Sequence, residues 1–402
     1  MKFQVALSDL TEALNIVDAA MSSEAADMQG HFLFRKSQTA GRVDVLTHDR
    51  WSQASISFVA DVEQGDETAF TIFGKGLMNF LGAVTSETPD ALMTVDFDTK
   101  TSITTVSNTA IPKINYPFGT LGPDAYPDFD KRLQGAKVTG TCRADRLLGA
   151  LDAAKGFIST DEQRGPQNTV TEFRDGKLMA TTLKTLGIIK MPGLDNVMHR
   201  IQVGQHLPAV TAFLTACKED TLEMLEAKEE PGKAAGMFFL RRGDGAVLGW
   251  SLYSKPFPKI AQPKAEDDRW WKISPKSLAN GLRGVLAAFK GKNEALVRFS
   301  RPTPQGPLLL TAATETGRKS EWEIPVLDSG DNPKADLTGM PDSFQLSRIS
   351  LETLLKAVKD DTITLGLSYR ASIKKGYLRV QESRGSEGDE FLFMLAWWRE
   401  GE

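Results

Sequence analysis

The residues whose spacing best indicates a chemical role in this sequence are basic. Lys276, Arg283 and Lys290 recur every seven residues, and no acidic residue lies between Ser274 and Lys292. Seven residues are about two helical turns, so these cations would share one face of a helix. A helix face exposed to solvent usually carries charges of both signs. For a single helix, however, an ordinary solvent-exposed face remains an open alternative to a binding surface. A face that is only basic would suit a phosphate backbone bound without regard to base sequence.

Other predicted helices carry the same bias in diluted form. The predicted helix of the third copy of an internal repeat carries Asp145 and Asp152 beside its cations, and that of the sixth copy carries Glu352. The helix of the first copy is itself acidic. Several helices biased alike, in a chain of net charge −4, favour a shared basic surface. The residues predicted to form it are Lys75, Arg143, Arg146, Lys155, Lys276, Arg283, Lys290, Lys292, Arg348, Lys356 and Lys359.

No motif in the sequence has the spacing of a familiar catalytic or metal site. Neither a Gly-x4-Gly-Lys-Ser/Thr phosphate loop nor a Gly-x-Ser-x-Gly motif occurs. The acidic pairs Glu219–Asp220 and Asp267–Asp268 fall in polar segments, which favours solvated loops over acid–base partners. The four histidines, none with ligand-spaced partners, are His31, His48, His199 and His206. We therefore predict a protein that is not an enzyme and that uses no cofactor or metal.

An internal repeat positions the predicted helices. Each copy has an aromatic-x-aliphatic pair followed by two aliphatic residues four apart, as in Phe3, Val5, Leu10 and Leu14. Later copies begin at Phe70, Gly140, Val203, Trp271 and Phe344. Successive copies start about 63 to 73 residues apart, so roughly six units of about 67 residues fill the chain.

Each copy predicts a strand, a short turn and an amphipathic helix. The first pair has the period of a half-buried strand, whereas two residues four apart share one face of a helix. In the fifth and sixth copies the predicted apolar stripes are Leu278, Leu282, Val285 and Phe289, and Leu351 and Leu355. Alternating, β-rich segments follow the helices, as at 92–97 and 363–367. The predicted fold is α+β, with one helix on a small, mostly antiparallel sheet in each unit.

The six units pair into three predicted domains. The segments 121–132 and 255–269 are rich in proline and charge, which is typical of linkers. We therefore predict domains at 1–130, 131–262 and 263–402.

Composition indicates a soluble globular protein. No apolar stretch reaches the length of a membrane span, and the N-terminus lacks the layout of a signal peptide. Cys142 and Cys217 occupy apolar positions of the repeat, so we expect buried free thiols. This cysteine usage fits a cytoplasmic location.

Several short motifs, taken together, carry a resemblance to a known family. The chain begins Met1-Lys-Phe-Gln-Val5, and Thr47-His-Asp49 precedes a β-rich run. The segment 121–129 contains a Leu-x-Pro-Asp and a Pro-Asp-Phe phrase, and Phe257-Pro258 lies near the end of the predicted second domain. In order and spacing these motifs, with the six-fold repeat, resemble the bacterial-type DNA polymerase III β subunit, the ring-shaped DNA sliding clamp.

Two segments depart from the family pattern. Thr181-Thr-Leu-Lys-Thr-Leu186 stands where the family usually has Thr-Asp-Gly-His-Arg-Leu. The segment 394–402 replaces the usual Met-Pro-Met-Arg-Leu ending and is longer and more aromatic. Divergence of this kind would suit an outlying member, such as a phage-encoded clamp.

The resemblance implies a DNA-clamp fold with three tandem domains, in a head-to-tail homodimer that closes a ring. Such a ring encircles double-stranded DNA without reading its sequence and tethers the replicative DNA polymerase and other DNA-processing proteins. An ATP-dependent clamp loader would open it, in the cytoplasm of a bacterial cell or of an infected bacterial host. The implied partner-peptide pocket maps to Gln167, Thr181, Leu183, Thr185, Leu186, Pro258, Leu392, Met394 and Ala396.

Alternatives remain open from the residues alone. One is an enzyme whose active site is dispersed along the chain, and another is a non-catalytic repeat scaffold. The leucines assigned to the pocket could equally be ordinary core residues at strand ends.

Overall fold

The fold is taken from a computed structural model of the chain. The residues that the structure describes are 1–21, 28–49, 51–63, 69–111, 114–123, 126, 129–159, 169–182, 185–202, 204–227, 236–252, 257–258, 267–287, 296–301, 306–313, 319–335, 337, 340–370, 375–384 and 389–397. They fall into two compact units. The first unit is Met1–Leu148 with Ile201–Tyr253, and the second is Gly149–Arg200 with Ser254–Glu402.

Strands dominate the chain, with a helix after every few strands. The elements as far as residue 143 are β1 (Lys2–Ala6), α1 (Leu7–Val17), β2 (His31–Lys36), β3 (Arg42–His48), β4 (Ser52–Val59), β5 (Asp61–Val62), β6 (Ala69–Phe73), α2 (Gly74–Glu87), β7 (Leu92–Asp98), β8 (Ile103–Asn108), β9 (Asn115–Gly119), α3 (Phe129–Gln134) and β10 (Lys137–Arg143). Next come α4 (Ala144–Lys155), β11 (Val170–Arg174), β12 (Lys177–Thr181), β13 (Thr185–Lys190), β14 (His199–Gln202), α5 (Leu207–Ala216), β15 (Thr221–Ala227), β16 (Met237–Arg242) and β17 (Val247–Ser251). The last elements are β18 (Arg269–Ile273), α6 (Pro275–Leu286), β19 (Leu296–Ser300), β20 (Leu308–Ala313), β21 (Lys319–Ile324), β22 (Val326–Asp331), β23 (Ser343–Ser347), α7 (Arg348–Ala357), β24 (Ile363–Arg370), β25 (Lys375–Arg384) and β26 (Asp389–Trp397).

The strand–helix repeat predicted from the sequence is confirmed in all six copies. They are β1–α1, β6–α2, β10–α4, β14–α5, β18–α6 and β23–α7. The fourth strand was misplaced, because β14 ends at Gln202 and residues 204–206 form a turn. The predicted α+β class is therefore correct.

Within the part of the chain that the structure describes, four antiparallel sheets carry these helices. The first unit contains sheet A, ordered β5-β1-β7-β8-β9, and sheet B, ordered β10-β15-β16-β17-β4-β3-β2-β6. Strands of the second unit, with β14 at its boundary, form sheet C in the order β14-β11-β12-β13-β26-β25-β24-β18-β22. Sheet D of the second unit is ordered β21-β20-β19-β23.

Apolar stripes hold the helices on the sheets, as the spacing predicts. Leu10 and Leu14 of α1 are completely buried, and Leu278 and Leu282 of α6 are buried too. The stripe of α7 differs from the prediction by one position, because Leu354 is fully buried and Leu355 only half-buried. Burial of each such leucine contributes about 1.5–3 kcal/mol, so these stripes are the main attachment of helix to sheet.

Several other sequence expectations need correction. The short helix α3 begins inside the first predicted linker, at Phe129, and extends two residues past its end. Lys359 lies beyond the end of α7 rather than on it. The thiols Cys142 and Cys217 are free and buried, as predicted. Phe289 of the predicted α6 stripe lies outside the described residues.

The pair Asp267–Asp268 was expected to be solvated, and that prediction is wrong. Asp268 is 3% exposed, and its Oδ2 accepts a hydrogen bond from the Tyr369 backbone N–H at 2.8 Å. The Asp267 carboxylate lies 2.7 Å from a guanidinium nitrogen of Arg379. Burial raises the pKa of Asp267 despite the opposing effect of Arg379. Long-range partners more than 100 residues away in sequence therefore account for this pair, and the local polarity of the sequence could not reveal them.

Acid should destabilise the fold through His206, at the start of α5. The side chain is 1% exposed, and burial lowers the pKa of His206 from 6.5 to about 4. The unfolded chain then binds a proton that the folded chain does not, so this stability is present above pH 6.5 and is lost as pH falls toward 4. The expected loss is about 3 kcal/mol, from a shift of about 2.5 pKa units.

Urea unfolding at pH 7 and at pH 4.5 measures this effect. His206→Asn keeps an acceptor for the Gln202 N–H, which now donates to His206 Nδ1 at 3.3 Å. The variant should lose less stability between the two pH values than the wild type. Equal losses in the two proteins would contradict the assignment to His206.

Candidate functional site

The most basic helix surface in the described residues is on α6. The helix begins after Ser274 with Pro275 in its first turn, where the missing N–H of proline costs nothing. Leu278, Leu282 and Val285 are buried on the side that faces strands β20 and β21. Lys276 and Arg283 are exposed on the other side, as the sequence predicts.

The hydrogen bonds that the structure shows for the Arg283 side chain of α6 go to uncharged groups. The Arg283 guanidinium donates to Asn280 Oδ1 at 2.8 Å and to the Ala279 carbonyl oxygen at 3.4 Å. Among the described residues, no carboxylate lies within 4 Å of Lys276 or Arg283. Both charges are therefore available to an anion, and Asn280 holds the guanidinium along the helix.

The other predicted basic residues are less uniform. The carboxylate of Asp145 binds Arg143 in a two-point contact, with nitrogen–oxygen distances of 3.0 and 2.6 Å. This guanidinium lowers the pKa of the Asp145 carboxyl. Arg348 pairs with Glu352 at 2.7 Å on α7. Arg143 is the last residue of β10 and so lies just before α4, whereas the sequence had led us to expect it on that helix. The two pairs reduce the net positive charge at the starts of α4 and α7.

The remaining members of the predicted basic surface divide into three groups. Arg146 of α4 is half-buried, and Lys75, Lys155 and Lys356 are exposed on α2, α4 and α7. Lys359 is exposed in the loop after α7. Lys290 and Lys292 lie outside the described residues. The assignment of these residues to one surface stays a prediction.

The outer face of α1 is acidic, in contrast to α6. Asp9 and Glu12 are exposed, and Glu12 lies 3.5 Å from a guanidinium nitrogen of Arg242. Arg242 also contacts Asp244 at 2.6 Å and Asp220 at 3.4 Å. The hydrogen bond to Asp244 is the main cause that raises the pKa of Arg242. A single cation, Arg242, pairs here with three carboxylates, so the net charge around α1 is negative. Helix α1 therefore cannot contribute to a basic surface.

Six of the residues predicted for the partner pocket lie on three described strands: Thr181 on β12, Thr185 and Leu186 on β13, and Leu392, Met394 and Ala396 on β26. Thr181 Oγ1 donates to the Thr185 carbonyl oxygen at 2.8 Å, and the Thr182 and Thr185 hydroxyls are 2.7 Å apart. These side-chain bonds link the end of β12 to the start of β13. Thr181, Thr185 and Leu186 are all buried.

Backbone pairing places β13 beside β26. Leu186 of β13 is opposite Met394 of β26, and Thr185 is opposite Leu395. The structure thus brings together, as neighbouring strands, two segments that are more than 200 residues apart. Leu392 and Pro258 are half-buried. Gln167 and Leu183, and the side chains of Met394 and Ala396, lie outside the described residues.

Two exposed aromatic residues were missed by sequence reasoning. Tyr116 on β9 is 52% exposed, and Trp322 on β21 is 45% exposed. Strands β9 and β21 are each the outermost strand of a sheet, A and D respectively. Among the outermost strands in the described residues, these two alone expose an aromatic side chain. The available signal was an aromatic residue alternating with polar ones in the segment 319–324.

Both aromatic side chains lie on the helix-bearing face of their sheets. The Tyr116 ring is 4.7 Å from that of Phe118 and 6.1 Å from that of Phe80 on α2, measured between centroids. The Trp322 indole lies against α6, where a Cβ on Gly284 would overlap it and one on Gly281 would come within 3.0 Å. The two glycines therefore make room for the tryptophan.

No cluster of three or more metal-binding side chains occurs in the described part of the chain. No helix there is long and apolar enough to cross a membrane.

Comparison with known proteins relates the whole chain to one kind of structure. The Caulobacter crescentus beta sliding clamp matches with a TM-score of 0.74 at 14% identity, covering 99% of both chains. The DNA polymerase III beta subunit of Thermotoga maritima matches with a TM-score of 0.71 at 16% identity, again over 99% of each. The Pseudomonas aeruginosa subunit gives 0.73 at 13%, over 99% of this chain and 100% of that one.

No protein-family model matches the sequence, and no curated protein matches it. The solved structures show the fold, and the expected DNA-clamp fold is confirmed over 99% of the chain.

Proposed function

We propose that this chain is a DNA sliding clamp, a processivity factor that encircles duplex DNA and tethers a DNA polymerase. The observation that carries the proposal is the clamp fold over 99% of the chain, whose solved examples are named as sliding clamps and DNA polymerase III beta subunits. The basic face of α6 supports it independently, because no carboxylate of the described residues pairs with Lys276 or Arg283. Diffuse positive charge binds phosphates without reading bases, so it lets a ring move along the duplex.

The proposed mechanism requires no catalysis by this chain. A closed ring stays on DNA because of its topology, so individual contacts with phosphates can be weak. A polymerase bound to the ring remains near its template, which raises its local concentration at the primer end. A separate ATP-dependent clamp loader opens the ring. The protein acts in the cytoplasm, with double-stranded DNA, polymerase, loader and a second copy of itself as partners.

The proposed ring is a head-to-tail homodimer of three domains per chain, with boundaries near 130 and 262. In the described residues, β9 and β21 are outermost strands of their sheets, which supports this arrangement because exposed strand edges are usually covered. Pairing β9 of one copy with β21 of the other joins two different surfaces, and two such contacts close a ring. Tyr116 and Trp322 would then meet on the same face of the continuous sheet.

The first expected outcome is the dimer itself. Light scattering at micromolar concentration should report about twice the mass of 44.0 kDa that one chain has. Tyr116→Ala and Trp322→Ala should shift the protein toward the monomer, because exposed aromatic anchors carry much of an interface's energy. Trp51→Ala is a matched control, since Trp51 is 43% exposed but lies outside both edge strands. A wild-type monomer or trimer would contradict the ring.

The function is tested by synthesis on primed circular DNA with the cognate polymerase and loader. We expect long products after a single binding event only when the clamp is present. Linear DNA with free ends should retain the clamp poorly, because a topologically held ring slides off an end. Equal retention on linear and circular DNA would overturn the proposal.

The partner pocket is proposed at Thr181, Leu183, Thr185, Leu186, Pro258, Leu392, Met394 and Ala396, with Gln167 at its rim. The adjacent placement of β13 and β26 supports it. A short, partly hydrophobic peptide of the polymerase would bind there through a few apolar anchors.

A further inference from the structure

In the proposed ring, β9 pairs with β21 through the backbone groups that point away from β8. The residues that supply these groups are identified from the hydrogen bonds between β8 and β9. The Asn108 N–H donates to the Ile114 carbonyl oxygen at 2.9 Å, and the Thr120 N–H donates to the Ser102 carbonyl oxygen at 3.2 Å. These bonds bracket the β8–β9 ladder, whose register is unbroken from Ile103–Gly119 to Ser107–Asn115.

Hydrogen bonding in an antiparallel ladder alternates from residue to residue. The even-numbered residues 114 to 120 therefore bond to β8, and the backbone groups of residues 115, 117 and 119 point away from it. Residue 117, the middle one of these three, is proline. Proline has no N–H, so the centre of this outward edge offers a carbonyl oxygen but no donor.

We propose that Pro117 removes the central donor from the β9–β21 contact between two copies, so that the ring is held mainly by aromatic side chains and opens readily. This inference rests on the proposed ring and concerns how firmly it is closed. Proline on an exposed edge is a known way to discourage strand pairing. In the proposed ring β9 nevertheless contacts β21 of the second copy. Tyr116, next to Pro117, is exposed on the face where Trp322 of that copy would pack.

The second copy is the occupant that this edge fits best. Trp322 on β21 is 45% exposed, while one side of its indole lies against Gly281 and Gly284 of α6. The Tyr116 ring likewise packs on one side against the rings of Phe118 and Phe80. Two aromatic rings fixed on one side and exposed on the other are suited to packing together. Side-chain packing of this kind does not depend on the missing N–H.

Subunit exchange measures how readily the ring opens. Dimers labelled with a donor dye or an acceptor dye at an introduced Lys100→Cys are mixed, and energy transfer reports the exchange. Pro117→Thr restores an N–H on a residue that favours strands, and should slow exchange by about 2- to 10-fold for each interface broken. Pro117→Ala restores the same N–H and repeats the test if threonine disturbs folding.

Controls separate the hydrogen bond from other effects of the substitution. Pro208→Thr makes the same chemical change on an exposed residue of α5, and should leave the exchange rate unchanged. Tyr116→Ala should accelerate exchange. Unchanged or faster exchange of both Pro117 variants, as intact dimers, would overturn this inference and leave the ring proposal standing. A wild-type protein that is monomeric would overturn both.

Discussion

Replacing Lys276 and Arg283 with glutamate should weaken DNA association by on the order of 1,000-fold and abolish processive synthesis. The two substitutions reverse four cations in a dimer, and each cation contributes about 1 kcal/mol to phosphate binding at a solvated surface. Both side chains are exposed opposite the buried stripe of α6, so the fold should survive. Binding to DNA closed by bulky end groups, measured by fluorescence anisotropy over a range of salt concentrations, gives the affinity. The slope of log K against log salt should also become shallower by about 0.9 for each phosphate that the variant no longer neutralises.

The matched control changes the same total charge elsewhere. Lys100→Glu with Lys177→Glu reverses two exposed lysines, one in the β7–β8 turn and the other on β12. We expect this variant to bind DNA nearly as well as the wild type. If the affinity of the two double variants falls equally, net charge rather than the α6 face controls binding. An unaffected α6 variant would place the DNA-binding surface on other helices.

Asn280 gives a finer test of the same face. Its side-chain oxygen accepts from the Arg283 guanidinium at 2.8 Å, which keeps the cation close to the helix. Asn280→Ala would release Arg283 without changing the charge, so any decrease in affinity should be far smaller than that of the charge reversal. The comparison separates the presence of the charge from its position.

The repeat explains why the fold could be predicted from the sequence. Local spacing determines where a strand ends and a helix begins. Because the pattern occurs six times, one copy that matches it weakly does little to change the predicted fold. The fourth copy illustrates the limit, because its weak strand signal at 203–205 placed β14 too late. In the sixth copy, Leu354 and Leu355 are adjacent, and their spacing from Leu351 alone does not decide which one is buried.

The features that were missed depend on interactions between distant residues. Asp267 is half-buried and pairs with Arg379, which lies 112 residues away in sequence, and a polar stretch gives no sign of this contact. The exposure of Tyr116 and Trp322 follows from their strands being outermost in their sheets, which only the strand order reveals. Likewise, the proximity of β13 and β26 was implied by the family resemblance and not by any pattern in the residues.

Truncating the chain after Leu395 should abolish polymerase stimulation while leaving the ring intact. The deletion removes Ala396 from the proposed pocket and also removes the aromatic residues Trp397 and Trp398. Strand β13 keeps its whole pairing with β26, from Thr185–Leu395 to Lys190–Glu390. Strand β25 is deprived only of the Tyr377–Ala396 and Gly376–Trp397 pairs. The core of the second unit should therefore persist.

Primer extension on circular DNA, together with light scattering and thermal unfolding of the truncated protein, tests this prediction. The expected result is synthesis at the level seen without any clamp, from a protein that is still dimeric and still loads onto DNA. Deleting only residues 400–402 is the control, and it should retain full stimulation because it spares the tryptophans. A dimer truncated after Leu395 that supports full processive synthesis would show that the polymerase binds away from β13 and β26.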